Sequence, residues 1–230
     1  MYVYGKNVAK QMLMDDISIK KAFIYKKSTD STILKELQDR RIPIKYLEKY
    51  ELDKTVDGNH LGVVFSIPDY EYCSLDDVIK DPREIIIILD HIEDPHNFGA
   101  IIRTCEAAGV SGIIIPKDRS VDVNSTVIKV STGAINQVKI AQVPNLVRTI
   151  ELLKKEGYWI IGTDMEGTSY KQIDYTGKIA IVIGNEGSGM SRIVKESCDF
   201  IATIPMRGTT NSLNASVATG IMIFEAISKR

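Results

Sequence analysis

The chain has 230 residues, 44% of them hydrophobic and 26% charged, with a formal net charge of −1. That length suits one large or two modest domains, and so even a balance excludes a molecule that grips nucleic acid or an anionic membrane by bulk charge. No apolar run reaches the roughly 18 residues of a transmembrane helix, no secretory leader pattern is visible, and three scattered cysteines (Cys73, Cys105, Cys198) suit a reducing cytoplasm rather than a disulfide framework. His60, His91 and His96 have no matching Cys spacing, so no metal site is expected.

Residues 1–68 read as a small α/β unit. Val8, Met12 and Leu13 line one face of an opening helix, and Ala22-Phe23-Ile24-Tyr25 is a short strand. Ser31 is read as the cap of a helix running to about Arg40. Pro43 introduces a strand over Ile44–Leu47, and Leu61–Ile67 is another. Lys20-Lys21 and Lys26-Lys27 flank the first strand, as a solvated face or as an RNA-facing patch. Pro68 to Arg83 holds two prolines (Pro68, Pro82), several acids and little apolar periodicity. Residues 69–83 read as a linker with a short helix near Leu75–Ile79.

From Glu84 the pattern strengthens. Ile85–Asp90 is a continuous apolar strand, as expected where helices cover both faces of a sheet. Asn97 is expected to cap, and Gly109 to stop, a helix over Phe98–Ala108. Arg103 stands within it beside Ile101, Ile102 and Cys105, where a guanidinium needs a partner. Further strands are expected at Gly112–Ile115, Val138–Val143, Trp159–Thr163, Ile179–Ile183 and Phe200–Ile204. Helices fall near Leu146–Glu156, Ser191–Glu196 and Asn214–Ser228. This βαβα alternation predicts a mostly parallel sheet. The last helix is apolar nearly all round, which implies packing on the sheet and deeper burial of a second stripe, within the chain or against another subunit.

Gly184-Asn185-Glu186-Gly187-Ser188-Gly189-Met190-Ser191 follows a buried strand. Its spacing imitates a P-loop, but Met190 stands where the phosphate-reaching lysine belongs. A nucleotide-hydrolysing enzyme is therefore disfavoured. Three segments should meet it at the same sheet edge: Asn97 to Arg103, Ile204-Pro205-Met206, and Ser212-Leu213-Asn214-Ala215-Ser216 at a helix start.

The motifs Asp90-x-x-x-Asp94-Pro95-x-Asn97-x-Gly99-Ala100-Ile101-x-Arg103-Thr104, Gly184-Asn185-Glu186-Gly187-x-Gly189, and Ile204-Pro205-Met206-x-Gly208-x-x-x-Ser212-Leu213-Asn214-x-Ser216 carry a family resemblance. In order and nearly intact, they resemble the three motifs of SpoU (TrmH-type) RNA ribose 2′-O-methyltransferases of the SPOUT superfamily, over residues 84–230. Residues 1–68, with Gly5-Lys6-Asn7-Val8 and Asn59-His60-Leu61-Gly62-Val63, resemble that family's L30e-like substrate-binding domain. The whole is most similar to the 23S rRNA guanosine branch, from which Leu61 departs where Gln is usual. The resemblance implies a C-terminal domain with a deep trefoil knot, which periodicity could not have predicted because knots are so rare. It also implies S-adenosylmethionine as cofactor, held by Gly184, Ile204 and Leu213, with Asn185, Met206, Gly187 and Ser216 nearby. Arg103, Asn97, Glu186, Ser212 and Asn214 match the catalytic cluster. Arg103 would enter a site completed by the other subunit of a homodimer.

Methyl transfer to a ribose 2′-hydroxyl is an in-line displacement that needs orientation and loss of a proton, but no metal. Aligned geometry can supply roughly 7–11 kcal/mol of the barrier. An arginine, normally protonated, could act as base only under strong local positive charge; alternatively it clamps the adjacent phosphate. Both roles stay open, as does a purely structural pairing of Arg103 with Glu186. Ser212 and Asn214 could equally be helix caps. The competing functions are tRNA ribose methylation, rRNA adenosine methylation conferring antibiotic resistance, and a non-enzymatic RNA-binding module. The ordered N-terminal domain favours rRNA.

Overall fold

The computed structural model describes residues 1–15, 17–28 and 30–230. The chain divides into two compact units: Met1–Glu71 with Val123–Gly133, and Tyr72–Asp122 with Ala134–Arg230. The first contains β1 (Tyr2–Tyr4), α1 (Lys6–Met14), β2 (Lys21–Tyr25), α2 (Ser31–Asp39), β3 (Ile44–Leu47), α3 (Lys49–Asp53) and β4 (Val63–Ser66). Its sheet runs β1-β4-β2-β3. β4 is antiparallel to β1 and β2, and β3 is parallel to β2. Alternation along β2 sends Ala22 and Ile24 into one buried face. Phe23 and Tyr25 go to the other side, where they join Tyr4, Leu47, Leu52, Val56 and Val64 in a second cluster.

Local chemistry moves several boundaries in this unit. Asp30, not Ser31, caps α2: its carboxylate accepts from Ile33 N at 3.4 Å, and Ser31 is the first helical residue. The strand expected at Leu61–Ile67 starts only at Val63, because Leu61 and Gly62 both turn into positive φ (50° and 81°). β1, three residues long, is too short for alternation to signal. The short α3 is held by a capping box between Glu48 and Glu51.

The second unit carries α4 (Leu75–Ile79), β5 (Ile85–Asp90), α5 (Pro95–Ala108) and β6 (Gly112–Pro116). The intervening α6 (Ser125–Ser131) groups with the first unit. Then follow β7 (Ile140–Val143), α7 (Leu146–Lys155), β8 (Trp159–Ser169), β9 (Ile179–Gly184), α8 (Arg192–Glu196), β10 (Phe200–Thr203) and α9 (Ala215–Ser228). The sheet order is β10-β8-β9-β5-β6-β7, and every pairing is parallel. All strands therefore end at one edge. β5 is fully buried, as its unbroken isoleucine run requires. α9 packs against α5 and β9.

Two features of this unit bear directly on the site. α5 begins at Pro95, not Phe98: Asp94 caps it by accepting from His96 N at 2.9 Å, with Pro at a first-turn position. Asn97 is thus not a cap but a first-turn side chain, free for other partners. Gly109 ends α5 in the left-handed conformation, as expected. β8 runs to Ser169, beyond the expected Thr163. Its register with β10 jumps from Gly162, opposite Ile201, to Thr168, opposite Ala202. Residues 163–167 are looped out of the ladder at the strand's C-terminal end.

Asp81 ties this unit together from its N-terminal side. Buried itself, it accepts from Arg83 Nε (2.7 Å), Arg83 Nη2 (2.8 Å) and Lys139 Nζ (2.8 Å). The hydrogen bonds from Arg83 foremost, and then that from Lys139, outweigh burial and hold its carboxyl far below the usual 3.8. Its stabilisation is complete above the unfolded value and is lost as pH falls toward the folded one. Asp81→Asn should therefore cost about 1–3 kcal/mol at pH 7 and much less near pH 2, measured by denaturant melts across that range. An equal loss at both ends would mean that the charge contributes nothing.

Candidate active site

The glycine loop leaves β9 as a closed turn. Asn185 and Gly189 exchange two main-chain hydrogen bonds, 3.0 and 2.9 Å long. The Asn185 side chain fills the turn: Oδ1 accepts from Gly187 N (2.9 Å) and Ser188 N (3.3 Å), while Nδ2 donates to His91 O (2.8 Å). Asp90, buried at the end of β5, accepts from Ser191 N at 2.6 Å and also contacts the His91 ring. The loop is thereby stapled at both ends to the adjacent strand. Gly184 has no room for a side chain, since a Cβ would overlap the main chain of Gly189 and Met190. Gly189 requires positive φ (67°).

Asn97 is the meeting point of three segments. At 9% exposure, its Nδ2 donates to Glu186 Oε1 in a close hydrogen bond, and its Oδ1 accepts from Asn214 Nδ2 at 2.8 Å. Asn214 is also the cap of α9, accepting from Ser216 N (2.9 Å), Val217 N (3.4 Å) and Ser216 Oγ (2.6 Å). Asn97, Glu186 and Asn214, predicted as one cluster, form one hydrogen-bonded chain. Ser216 serves the cap and does not line the adjoining cleft. Arg103 stands apart. It is exposed on α5 and forms no hydrogen bond or ion pair with another described residue. The partner that its apolar sequence neighbours suggested is not needed within this chain, because Ile101, Ile102 and Cys105 turn inward while Arg103 turns out. Nor does it pair with Glu186, whose partner is Asn97.

Beside this chain lies a cleft of about 260 Å³ at the C-terminal edge of the sheet. Gly184, Asn185, Glu186 and Gly187 form one wall; Ile204, Met206, Ser212 and Leu213 form another. Sequence reasoning missed the third wall, Thr163, Asp164 and Met165, which is the looped-out end of β8. Thr163 Oγ1 donates to Val182 O at 2.9 Å. Burial pushes the Asp164 carboxyl up, but the hydrogen bond from Lys195 Nζ at 2.8 Å and main-chain donors outweigh it, leaving it ionised below its usual range. Burial pushes the Cys198 thiol up to about 12 and that of Cys105 higher still. Among the described residues no group of His, Cys, Asp and Glu could hold a metal ion, and no helix is long and apolar enough to cross a membrane.

A cleft at the C-terminal edge of a parallel sheet, flanked by an amide–carboxylate chain, is a ligand-binding site of the α/β kind. Residues 84–224 match the SpoU rRNA methylase family model, and residues 2–73 match the model for RNA 2′-O ribose methyltransferase substrate binding. The chain belongs to the SpoU methylase family and is an RNA methyltransferase. It is 42% identical over 238 residues to a Bacillus subtilis protein assigned to the TrmH family of tRNA/rRNA methyltransferases, covering 100% of this chain and 96% of that one. A Staphylococcus saprophyticus protein of the same assignment is 44% identical over 237 residues, covering 99% and 95%. Among solved structures, the AdoMet-bound rRNA methyltransferase of Sinorhizobium meliloti is 27% identical with a TM-score of 0.76, covering 99% of this chain and 86% of that one. The SpoU methyltransferase of Streptomyces viridochromogenes, in complex with AdoMet, shares the fold: TM-score 0.83, 23% identity, and coverage of 100% and 90%.

The fit around Gly184 is open to a direct test. Gly184→Ala must displace the loop's return strand, at a cost of about 1–3 kcal/mol. Hydrogen exchange of Asn185 and Gly189 amides should speed up selectively. Unchanged protection there would show that the turn tolerates a side chain.

Proposed function

We propose that this chain transfers a methyl group from S-adenosylmethionine to a ribose 2′-hydroxyl of RNA, with a guanosine of 23S rRNA as the substrate, and that it works as a homodimer. The cleft suits the cofactor. Its lining includes the apolar Ile183, Ala202, Ile204 and Leu213, and Gly184, with no side chain, lets a ligand approach the backbone. When bound, S-adenosylmethionine supplies an activated methyl on a sulfonium. Gly184, Ile204 and Leu213 hold it largely through main-chain groups, with Asn185 shaping the turn and Gly187, Met206 and Ser216 close by. The family's trefoil knot belongs to the same reading. It is supported by β9 lying between β8 and β5, and by α9 returning from the β10 edge to pack on α5.

The protein's own work is to orient the sugar and remove a proton. Asn97 and Asn214 fix Glu186 at the cleft wall, where its carboxylate faces the incoming hydroxyl and can accept the proton. Ser212 lines the other wall of the cleft and positions the ribose. Arg103 clamps the neighbouring phosphate with its two-pronged guanidinium.

One observation carries the dimer. Arg103 lies six residues beyond Asn97 on α5, which turns it to a different helix face. A single copy therefore separates the arginine from the Asn97–Glu186–Asn214 chain. Nearby, α9 exposes Val217 (50%) and Phe224 (52%), the apolar stripe a second copy would cover. The arginine of one copy then reaches the cleft of the other. The substrate-binding match over residues 2–73 and the curated tRNA/rRNA relatives support an RNA substrate, and the presence of a separate N-terminal unit favours rRNA.

Arg103→Lys keeps the charge and loses the fork, so turnover on rRNA should fall by at least about 100-fold, the scale of one lost charge-stabilising donor, while S-adenosylmethionine binding by calorimetry is spared. Arg103→Ala and Asn214→Ala, each inactive alone, should restore activity when co-expressed, because the mixed dimer contains one complete site. Absence of restored methyl transfer in purified mixed dimers would rule out a shared site.

A further inference from the structure

The sheet of the first unit leaves part of one face open. The register places Tyr2, Ser66 and Lys21 in one row across β1, β4 and β2. The next row is Tyr4, Val64, Phe23 and Lys45, running on to β3. One end of this face is closed by the cluster of Leu47, Leu52, Val64 and their neighbours. At the other end Tyr2 stands exposed and Phe23 half-buried beside it. Tyr2 is 44% exposed, and its ring stands edge-on to Phe23 with centroids 5.9 Å apart. Lys21 Nζ lies 5.6 Å from the Phe23 centroid.

The charges around these rings are of one kind. Lys21 and Lys45 have no carboxylate partner among the described residues. Lys26, by contrast, is tied to Glu48 at 3.2 Å, and Lys10 to Asp30 at 3.5 Å. Asp69, an exposed carboxylate beside the N-terminus, is engaged by the N-terminal ammonium at 2.9 Å. Two flat rings flanked by two unpaired ammoniums on a sheet surface match what an unpaired nucleotide needs. The rings take the base by stacking, and the ammoniums take the phosphates on either side. A paired helix keeps its bases stacked on one another and cannot use such rings. A purely apolar partner would leave the ammoniums unsatisfied.

We propose that the face formed by Tyr2, Phe23, Lys21 and Lys45 is a docking platform for unpaired RNA bases, beyond the methyl-transfer cleft. The proposal rests on the reading of this chain as an RNA enzyme. It assigns to the substrate-binding unit a preference for single-stranded over duplex segments. Bound at this face, Lys21 leaves the Phe23 ring and moves to a phosphate, and a base occupies the space over the ring pair.

The test uses the full chain and two fluorescent RNA probes of about 12 nucleotides, one single-stranded and one the same sequence in a duplex. Tyr2→Ser should weaken single-strand binding about tenfold, the scale of one lost stack, and leave duplex binding unchanged. Tyr2→Phe, which retains the ring, should bind like the unaltered chain. Phe23→Leu keeps the apolar contact with Val64 but loses the flat face, and should follow Tyr2→Ser. Lys21→Gln with Lys45→Gln should flatten the salt dependence of binding. Cofactor affinity of each variant, measured in parallel, checks that the chain is folded. Single-strand affinity unchanged in both Tyr2→Ser and Phe23→Leu, or an equal loss on the duplex, would overturn the platform. Methyl transfer by the unaltered chain to 23S rRNA is scored separately: its failure counts against the enzymatic reading, while the binding comparison still decides the platform.

Discussion

Two hydrogen bonds from Asn97 hold the reacting end of this molecule together. One reaches Glu186, 89 residues later, and the other is received from Asn214, 117 residues later. An amide can do this because it donates and accepts at once. Here the donor meets a carboxylate and the acceptor meets a second amide, so neither end is left unpaired in a largely buried position. The arrangement depends on Asp94 capping α5. Were Asn97 the cap, its side chain would be spent on main-chain amides and could not bridge the two distant segments. Asn214, by contrast, does both tasks: its Oδ1 caps α9 while its Nδ2 reaches Asn97.

The same economy runs through the glycine loop. Asp90 and Asn185 are polar residues at strand ends, and both are consumed in holding the turn rather than facing a ligand. The glycine-loop wall of the cleft is therefore held at fixed geometry, with little loop entropy left to lose when a ligand binds. Looping out residues 163–167 from β8 completes the enclosure from the opposite side.

Much of this was legible from residue order alone. The apolar runs of β5 and β9 announced a parallel sheet, and Gly109 announced the end of α5. The glycine spacing after β9 marked the cleft, and the motif resemblance grouped Asn97, Glu186 and Asn214 correctly. What was hidden has physical causes. An Asp-Pro pair reads equally well as a turn or as a cap followed by a first helical residue, so the start of α5 was misplaced. The excursion of β8 breaks no rule of composition: Thr163-Asp164-Met165 looks like the polar fringe of any strand. It becomes visible only through the register of β10, a partner some 35 residues away in sequence. The fate of Val123–Gly133, which groups with the first unit, is likewise a matter of packing between distant segments, and no local pattern encodes it.

Arg103 shows how a wrong local expectation can still point in a useful direction. A guanidinium flanked in sequence by Ile101, Ile102 and Cys105 was expected to need a partner, yet helical geometry turns those three inward and the arginine outward. An exposed arginine with no partner is ordinary on most surfaces. This one lies on the helix that packs against α9, whose own outward stripe is apolar at Val217 and Phe224 rather than charged. Solvent does not reward such a stripe, and a cation beside it is poorly served by water alone once the stripe is covered. In the proposed dimer, a second copy covering the stripe would bring the guanidinium toward the Glu186 side of the other chain's cleft. On that argument the apolar stripe and the arginine would be two halves of one device, in which subunit association both buries the surface and delivers the charge.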